Sequence, residues 1–385
     1  MPIDANQATT AEPRTAEITW DHKDVQLYHL GIGAGLPATD PRELRYTLES
    51  RLHALPSFAT VAGGGPPGVI RALSVPGVDV DLARVLHGGQ WLRLHRTVPV
   101  RGRARAASRV VAVHDKGTAA VLVLRTEVTD EGGPLWTDEA EVFVRGEGGW
   151  GGERGPSGRP GPVPDGAPDH VAERAVREDQ ALLYRLSGDW NPLHADPEFA
   201  ARAGFERPVL HGLCSYGATL KSVVDTLLDG DVSRVREYRT RFTGVVYPGE
   251  TLRVRMWRAA APDHVAERPV REDQALLYRL SGDWNPLHAD PEFAARAGFD
   301  RPVLHGLCTY GGTLKSVVDT LLDGDVTRVR EYRARFAGVV YPGETLRVRM
   351  WRSAGPGGGG TVRVAVGAVD RDDAPVLADT VVRFG

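Results

Sequence analysis

Residues 278–321 read YRLSGDWNPLHADPEFAARAGFDRPVLHGLCTYGGTLKSVVDTL, and the changes of rhythm within and just beyond this stretch decide the fold. Asp290-Pro291 joins an N-cap to a proline suited to the first helical position, and Gly298 stands where a C-cap glycine belongs. The spacing therefore predicts a short helix over 291–297. Leu307, Tyr310, Leu314, Val317, Val318 and Leu321 then recur at intervals of three and four, which predicts a longer helix with one apolar face. Beyond it the period falls to two. Tyr332, Ala334 and Phe336 alternate with arginine, as do Leu346, Val348 and Met350; Val362, Val364 and Val366 keep the same period, and 376–384 reads as a last strand. Such alternation predicts antiparallel strands with one covered and one charged face.

The same stretch occurs twice. Residues 167–260 and 261–354 are near-identical 94-residue copies with eight differences: Ala175/Pro269, Glu206/Asp300, Ser215/Thr309, Ala218/Gly312, Ser233/Thr327, Thr240/Ala334, Thr243/Ala337 and Ala259/Ser353. Solenoid repeats are shorter and more numerous, so the reading is a two-part protein of 291 residues with one segment doubled, either by a genuine recent duplication or in the recorded sequence. Cys214 and Cys308 are one cysteine met twice. A disulfide has no support, which fits a reducing, cytoplasmic setting.

Outward from the copies, 1–19 is a polar N-terminus, 20–150 a globular region and 151–166 a Gly/Pro-rich linker; 167–260 is copy 1 and 261–385 is copy 2 with the final strands. Gly63 to Gly68 and Gly355 to Gly360 read as loops. The first region shows the same grammar: Asp40-Pro41 opens a helix with Leu44, Leu48 and Leu52 on one face, and strands are predicted over 108–114, 119–128 and 139–145. Each half pairs a helix with a run of antiparallel strands, which is an α+β arrangement. The 385 residues carry a net charge of -3, with 43 arginines against four lysines, and 42% are hydrophobic. These figures disfavour a basic nucleic-acid binder and a disordered chain, and no apolar run is long enough to predict a membrane span.

The chemistry gathers in Gly-Asp-Trp-Asn-Pro-Leu-His, at 188–194 and 282–288. Asn285 precedes proline and is pushed out of the α region, so the cluster is an extended loop leading into the Asp290 cap. In such a loop Asp283, Asn285 and His288 can converge on one point, and a carboxylate and an imidazole around one water form an acid/base pair. The Asn amide can fix the water or the histidine tautomer. On spacing alone, the same residues also suit a cap and a turn. A metal site is not expected: His305 and a few carboxylates are nearby, but no paired ligand spacing accompanies them. His211 and His305 read as N-terminal geometry for the long helix, Cys214 and Cys308 as small buried hydrophobes, and Tyr184 and Tyr278 as packing residues.

At this point the sequence becomes recognisable. Tyr278 to His288, followed by Ala297-Gly-Phe and Arg301-Pro-Val-Leu-His-Gly-Leu-Cys-Thr-Tyr-Gly311, closely resembles the MaoC-like (R)-specific enoyl-CoA hydratases, or hydratase 2. Leu55-Pro-Ser-Phe-Ala59, His87-Gly-Gly-Gln90, Asp115-Lys-Gly117 and Phe143 to Trp150 resemble their N-terminal half. The resemblance implies a double hot-dog, two α+β units packed side by side into one continuous antiparallel sheet, here with a partial extra copy. It implies reversible hydration of a trans-2-enoyl-CoA to the (R)-3-hydroxyacyl-CoA, without metal or cofactor. Asp283 and His288 are to activate the water, with Asn285 holding it and the Gly306 N–H polarising the thioester carbonyl; Asp189, His194, Asn191 and Gly212 are their copy 1 counterparts. Substrate contacts are expected at His87, Gly88, Lys116, Trp284, Pro286, Leu287, Phe336 and Phe242, with Lys116 suited to a CoA phosphate. The N-terminal half lacks the cluster and is expected to bind rather than react.

An acyl-CoA thioester is the partner so implied, with no nucleic acid and no membrane, and a homodimer is allowed. Two other readings stay open: a non-catalytic or assembly-compromised hot-dog scaffold, and a dehydratase for acyl-carrier-protein substrates. Copy 1 lacks the final strands, so copy 2 is expected to be the complete hydratase unit, with one active site per chain.

Overall fold

The structure, a computed structural model, describes residues 3–64, 71, 73–155, 166–258, 261–355 and 358–385. Most of the predicted linker, 156–165, and parts of both glycine-rich loops lie outside the described residues. The chain divides into two compact units, Met1–Trp257 and Arg258–Gly385.

In the first unit β1 (Arg14–Trp20), β2 (Val85–Leu94), β3 (Gly102–Asp115), β4 (Ala119–Asp130) and β5 (Gly133–Arg145) form an antiparallel sheet with strand order β1-β3-β4-β5-β2. Copy 1 contributes β6 (His170–Ala175), β7 (Glu237–Arg241) and β8 (Thr251–Met256). β7 extends the large sheet by pairing with β2, Trp91 opposite Arg239 and Leu92 opposite Tyr238, while β6 and β8 form a separate pair. The N-terminal helix His22–Gly31, closed by an Asp21/Asp24 capping box, packs against the short copy 1 helix Gln180–Tyr184. One core joins the two parts: Tyr28, Phe58 and Trp136 from the first pack in the same cluster as Tyr184, Leu213 and Tyr216 from the second.

Two expectations need correction here. Residues 14–20 of the nominally polar N-terminus form β1, paired along its length with β3. The helix expected from Asp40 is only one turn, Leu44–Thr47, followed by a 3-10 turn, and Leu48 is exposed. This segment answers to copy 1 instead of to helical periodicity: Tyr46 Oη donates to Asp225 (2.7 Å) and Arg45 to the Asp229 carbonyl (3.0 Å). The N-terminal half pairs with copy 1 through β2 and β7, and copy 2 completes its own sheet with the final strands. Chain connectivity supplies a reason, because closing a loop of about 25 residues rather than about 120 is favoured by roughly 1.4 kcal/mol.

The second unit is copy 2 with the C-terminal strands. β9 (His264–Pro269), β10 (Val329–Phe336), β11 (Thr345–Ala354), β12 (Gly360–Ala368) and β13 (Ala374–Phe384) form an antiparallel sheet in the order β10-β13-β12-β11-β9. It wraps the helix Gly306–Leu321, with Val317, Val348, Met350 and Val382 fully buried between them. The short helix Pro291–Arg296 is capped by Asp290, whose carboxylate accepts from the Glu292 and Phe293 N–H groups. No helix among the described residues is long and apolar enough to cross a membrane.

Candidate active site

The loop Gly188–His194 is shaped locally. Gly188 takes φ +115, a left-handed turn that a side chain would strain. Asn191, held extended ahead of Pro192, caps the 3-10 turn Pro192–His194 by accepting from the Leu193 N–H (3.1 Å). Its own N–H donates to the Asp189 carboxylate (3.2 Å), so its amide NH2 is the end left to face a ligand. His194 donates from Nδ1 to the Val209 carbonyl (2.8 Å), which fixes the tautomer and leaves the Nε2 lone pair available. His211 stacks on His194 with ring centroids 3.7 Å apart and bonds the Asp189 carbonyl through Nε2 (3.2 Å).

These contacts bring one reactive atom from each of Asp189, His194 and His211 within 4.8 Å of one another. Burial holds the Asp189 carboxyl above the usual carboxylate range, opposed by the nearby His194, and lowers His194 below an ordinary histidine. Environments that push a carboxyl up and an imidazole down favour neutral forms that share one proton, which is the arrangement of an acid/base pair. The three groups could also be imagined around a cation. Stacked imidazoles with centroids 3.7 Å apart and planes 29° apart do not suit it, because an ion between them sits out of both ring planes while a ligating lone pair lies in the plane. His211 is thus a brace for the loop. Tyr184 is fully buried against Gly31, and Cys214 is a buried thiol that donates to the Gly31 carbonyl.

The pair opens onto a cavity of about 730 Å³ whose wall comes from both halves of the first unit. β2 supplies His87 and Gly88, β5 supplies Phe143 and Arg145, and copy 1 supplies Asp189, Asn191, Leu193, His194, Gly212 and Phe242. Gly212 opens the helix Gly212–Leu227, whose first turn has no side-chain cap. Its N–H and the positive helix end therefore face the site. A Cβ at Gly212 would lie 3.4 Å from the Phe242 ring, so the ring packs directly on the start of the helix. His87 is half-buried, packs edge-on to Phe242, and its buried Nε2 has no partner among the described residues; desolvation lowers it to about 4.

Some expected contacts are elsewhere. Lys116 does not line the cavity; it is half-buried and its Nζ donates to the Arg154 carbonyl. Arg145 and Arg241 are the cations at the wall, and sequence reasoning missed them because each reads as the charged face of a strand. Trp284 and its counterpart Trp190 are exposed, each stacked under an arginine, Arg279 at 5.5 Å and Arg185 at 5.2 Å.

Copy 2 builds the same constellation without a wall. His288 donates to the Val303 carbonyl (2.7 Å) and stacks on His305 at 3.7 Å, and Asp283, His288 and His305 lie within 4.8 Å. Yet Asp283, Asn285, Pro286, Gly306 and Phe336 are exposed, and Leu287 is half-buried. Leu307 is 60% exposed where Leu213 is 3%. Cys308 is half-buried, not the buried hydrophobe expected, because the second unit contains no counterpart of the N-terminal segment that covers Cys214.

The sequence matches the MaoC like domain over residues 160–262 and again over 258–372, and the MFE-2 hydratase 2 N-terminal domain over 18–146. It is 47% identical over 259 residues to the enoyl-CoA hydratase ChsH3 of Mycobacterium tuberculosis, covering 67% of this chain and 90% of that protein. It is 37% identical over 264 residues to the probable enoyl-CoA hydratase 2 of Dictyostelium discoideum, covering 67% and 88%. A MaoC-like dehydratase from Phytophthora capsici shares the fold at 20% identity and a TM-score of 0.52, covering 100% of this chain and 98% of that one. With both halves of the double hot-dog matched and one of its modules present twice, the chain belongs to the MaoC-like hydratase 2 family.

Proposed function

We propose that the chain hydrates trans-2-enoyl-CoA reversibly to the (R)-3-hydroxyacyl-CoA, and that copy 1 docked on the N-terminal half is the working site. The observation that carries this is the wall: the Asp189–His194 pair is largely buried beside a two-sided cavity, while the same pair in copy 2 has Asp283 exposed. The pair takes one proton from water as the water oxygen bonds to Cβ. The electrons of the double bond move through Cα onto the thioester oxygen, where the Gly212 N–H stabilises the enolate. The pair then returns one proton to Cα, so the product has gained H and OH and the enzyme is unchanged. Each acid/base contribution is typically about 10²- to 10⁴-fold, and an oxyanion donor about 2.7–4 kcal/mol of barrier. Arg145 and Arg241 supply cations for the charged end of the thioester carrier. A cytoplasmic setting is part of the reading, supported by two free thiols.

The test is a hydration assay with crotonyl-CoA and a longer enoyl-CoA, followed at the absorbance of the conjugated thioester. Steady loss of that absorbance is expected. No loss from a folded preparation contradicts the proposal.

A further inference from the structure

The helices at the centre of the two copies are nearly identical in sequence, and each is covered on a different face. In copy 2 the hairpin of β12 and β13 closes the sheet: β13 pairs with β10, Tyr332 opposite Val382, and β12 with β11, Val348 opposite Val366 and Met350 opposite Val364. Under it Thr313, Val317 and Leu322 are fully buried. In copy 1 the corresponding Thr219, Val223 and Leu228 are only half-buried. Among the described residues β7 pairs only with β2 and β8 only with β6, so one edge of each strand is open, and two strands are missing between them.

Most of the sequence that receives the hairpin in copy 2 recurs in copy 1. β8 has the same six residues as the first six of β11, and β7 differs from its counterpart in β10 only at Thr240/Ala334. The residues that make the ionic contacts recur in sequence as well, although Arg253 pairs with Glu173 (2.9 Å) and Glu237 accepts from Trp91 Nε1 (2.7 Å) in the first unit. Asp373 pairs with Arg347 (2.6 Å) and Arg349 (2.5 Å), and Arg383 with Glu331 (2.8 Å). Their copy 1 counterparts are Arg253, Arg255 and Glu237. An exposed sheet edge is a template for strand addition, with main-chain bonds giving affinity and alternate side chains giving register.

We propose that the first unit carries an open strand-addition site, between β7 and β8 and over the helix Gly212–Leu227, that takes the hairpin Gly360–Phe384 of a second copy of this chain. The register is that of copy 2, with Val254 opposite Val366, Met256 opposite Val364 and Tyr238 opposite Val382. Each chain has one hairpin and two acceptors, so one acceptor per chain remains open to exchange between chains.

The test adds a peptide of residues 358–385, carried on a soluble fusion partner, to the full chain and follows amide exchange by mass spectrometry. Fragments of the two helices are distinguished by Ser215/Thr309 and Ala218/Gly312. Exchange in 212–228 and 251–256 is expected to slow at least tenfold, saturating at one peptide per chain. Val364→Asp with Val366→Asp in the peptide abolishes the effect. Arg253→Glu with Arg255→Glu in the chain, both at exposed positions, weakens binding at least tenfold. Unchanged exchange in the first unit at saturating peptide, protection confined to 306–354, or equal binding of the substituted partners overturns the proposal.

Discussion

His194 is held neutral by where it sits. Its Nδ1–H is committed to the Val209 carbonyl, the stacked His211 is itself buried and lowered, and burial disfavours a second proton on the ring. The acid limb of kcat/KM for hydration is therefore expected below pH 6.5, the ordinary histidine value. A pH–rate profile checks this, and an acid limb at or above that value contradicts the assignment. His29 illustrates the same physics away from the chemistry: Nδ1 donates to the Tyr46 carbonyl, Nε2 accepts from the Leu55 N–H, and burial lowers it to about 4. The residues of the pair were legible in sequence because proline, asparagine and a capping aspartate fix the loop locally. Arg145 and Arg241 were not, because a residue on a charged strand face becomes a cavity residue only when a second element approaches.

Elements with one sequence and two environments separate local from tertiary stability. Lys221 is buried between Glu43 and Asp225, 2.7 Å from each, over the Tyr46 ring; Lys315, its copy 2 counterpart, is exposed and pairs only with Asp319 among the described residues. Lys221→Ala leaves the buried Glu43 carboxylate without its close cation, while Asp225 keeps Arg174 at 3.1 Å, and is expected to destabilise the first unit by about 3 kcal/mol. Lys315→Ala is expected to change the second unit by less than about 1 kcal/mol. Calorimetry on the two variants checks both. The long helices and the strands of copy 2 were readable from period alone, since periodicity of 3.6 or 2 survives wherever one face is covered. The segment after Asp40 was misread as a helix because its side chains serve contacts with the copy 1 helix, which no local pattern encodes.

At the scale of the molecule, the duplication distributes one N-terminal half and one C-terminal hairpin over two copies. Copy 1 gains the cavity wall and copy 2 gains the closed sheet. The first unit is also expected to be acid-labile. His29 and His87 are both held at about 4, so between there and the ordinary histidine value the unfolded chain binds protons that the native state refuses. Stability present above that ordinary value is lost as pH falls, by about 3 kcal/mol per group at pH 4. Denaturant midpoints of the first unit at pH 7 and pH 4 check the slope, and a flat response contradicts it. The most direct test of the central claim, that the walled pair of copy 1 does the chemistry, compares Asp189→Asn with Asp283→Asn in the crotonyl-CoA assay. The first is expected to lower kcat by at least about 10²-fold and the second to leave it within twofold; the reverse order, or activity retained in the double variant, contradicts the account.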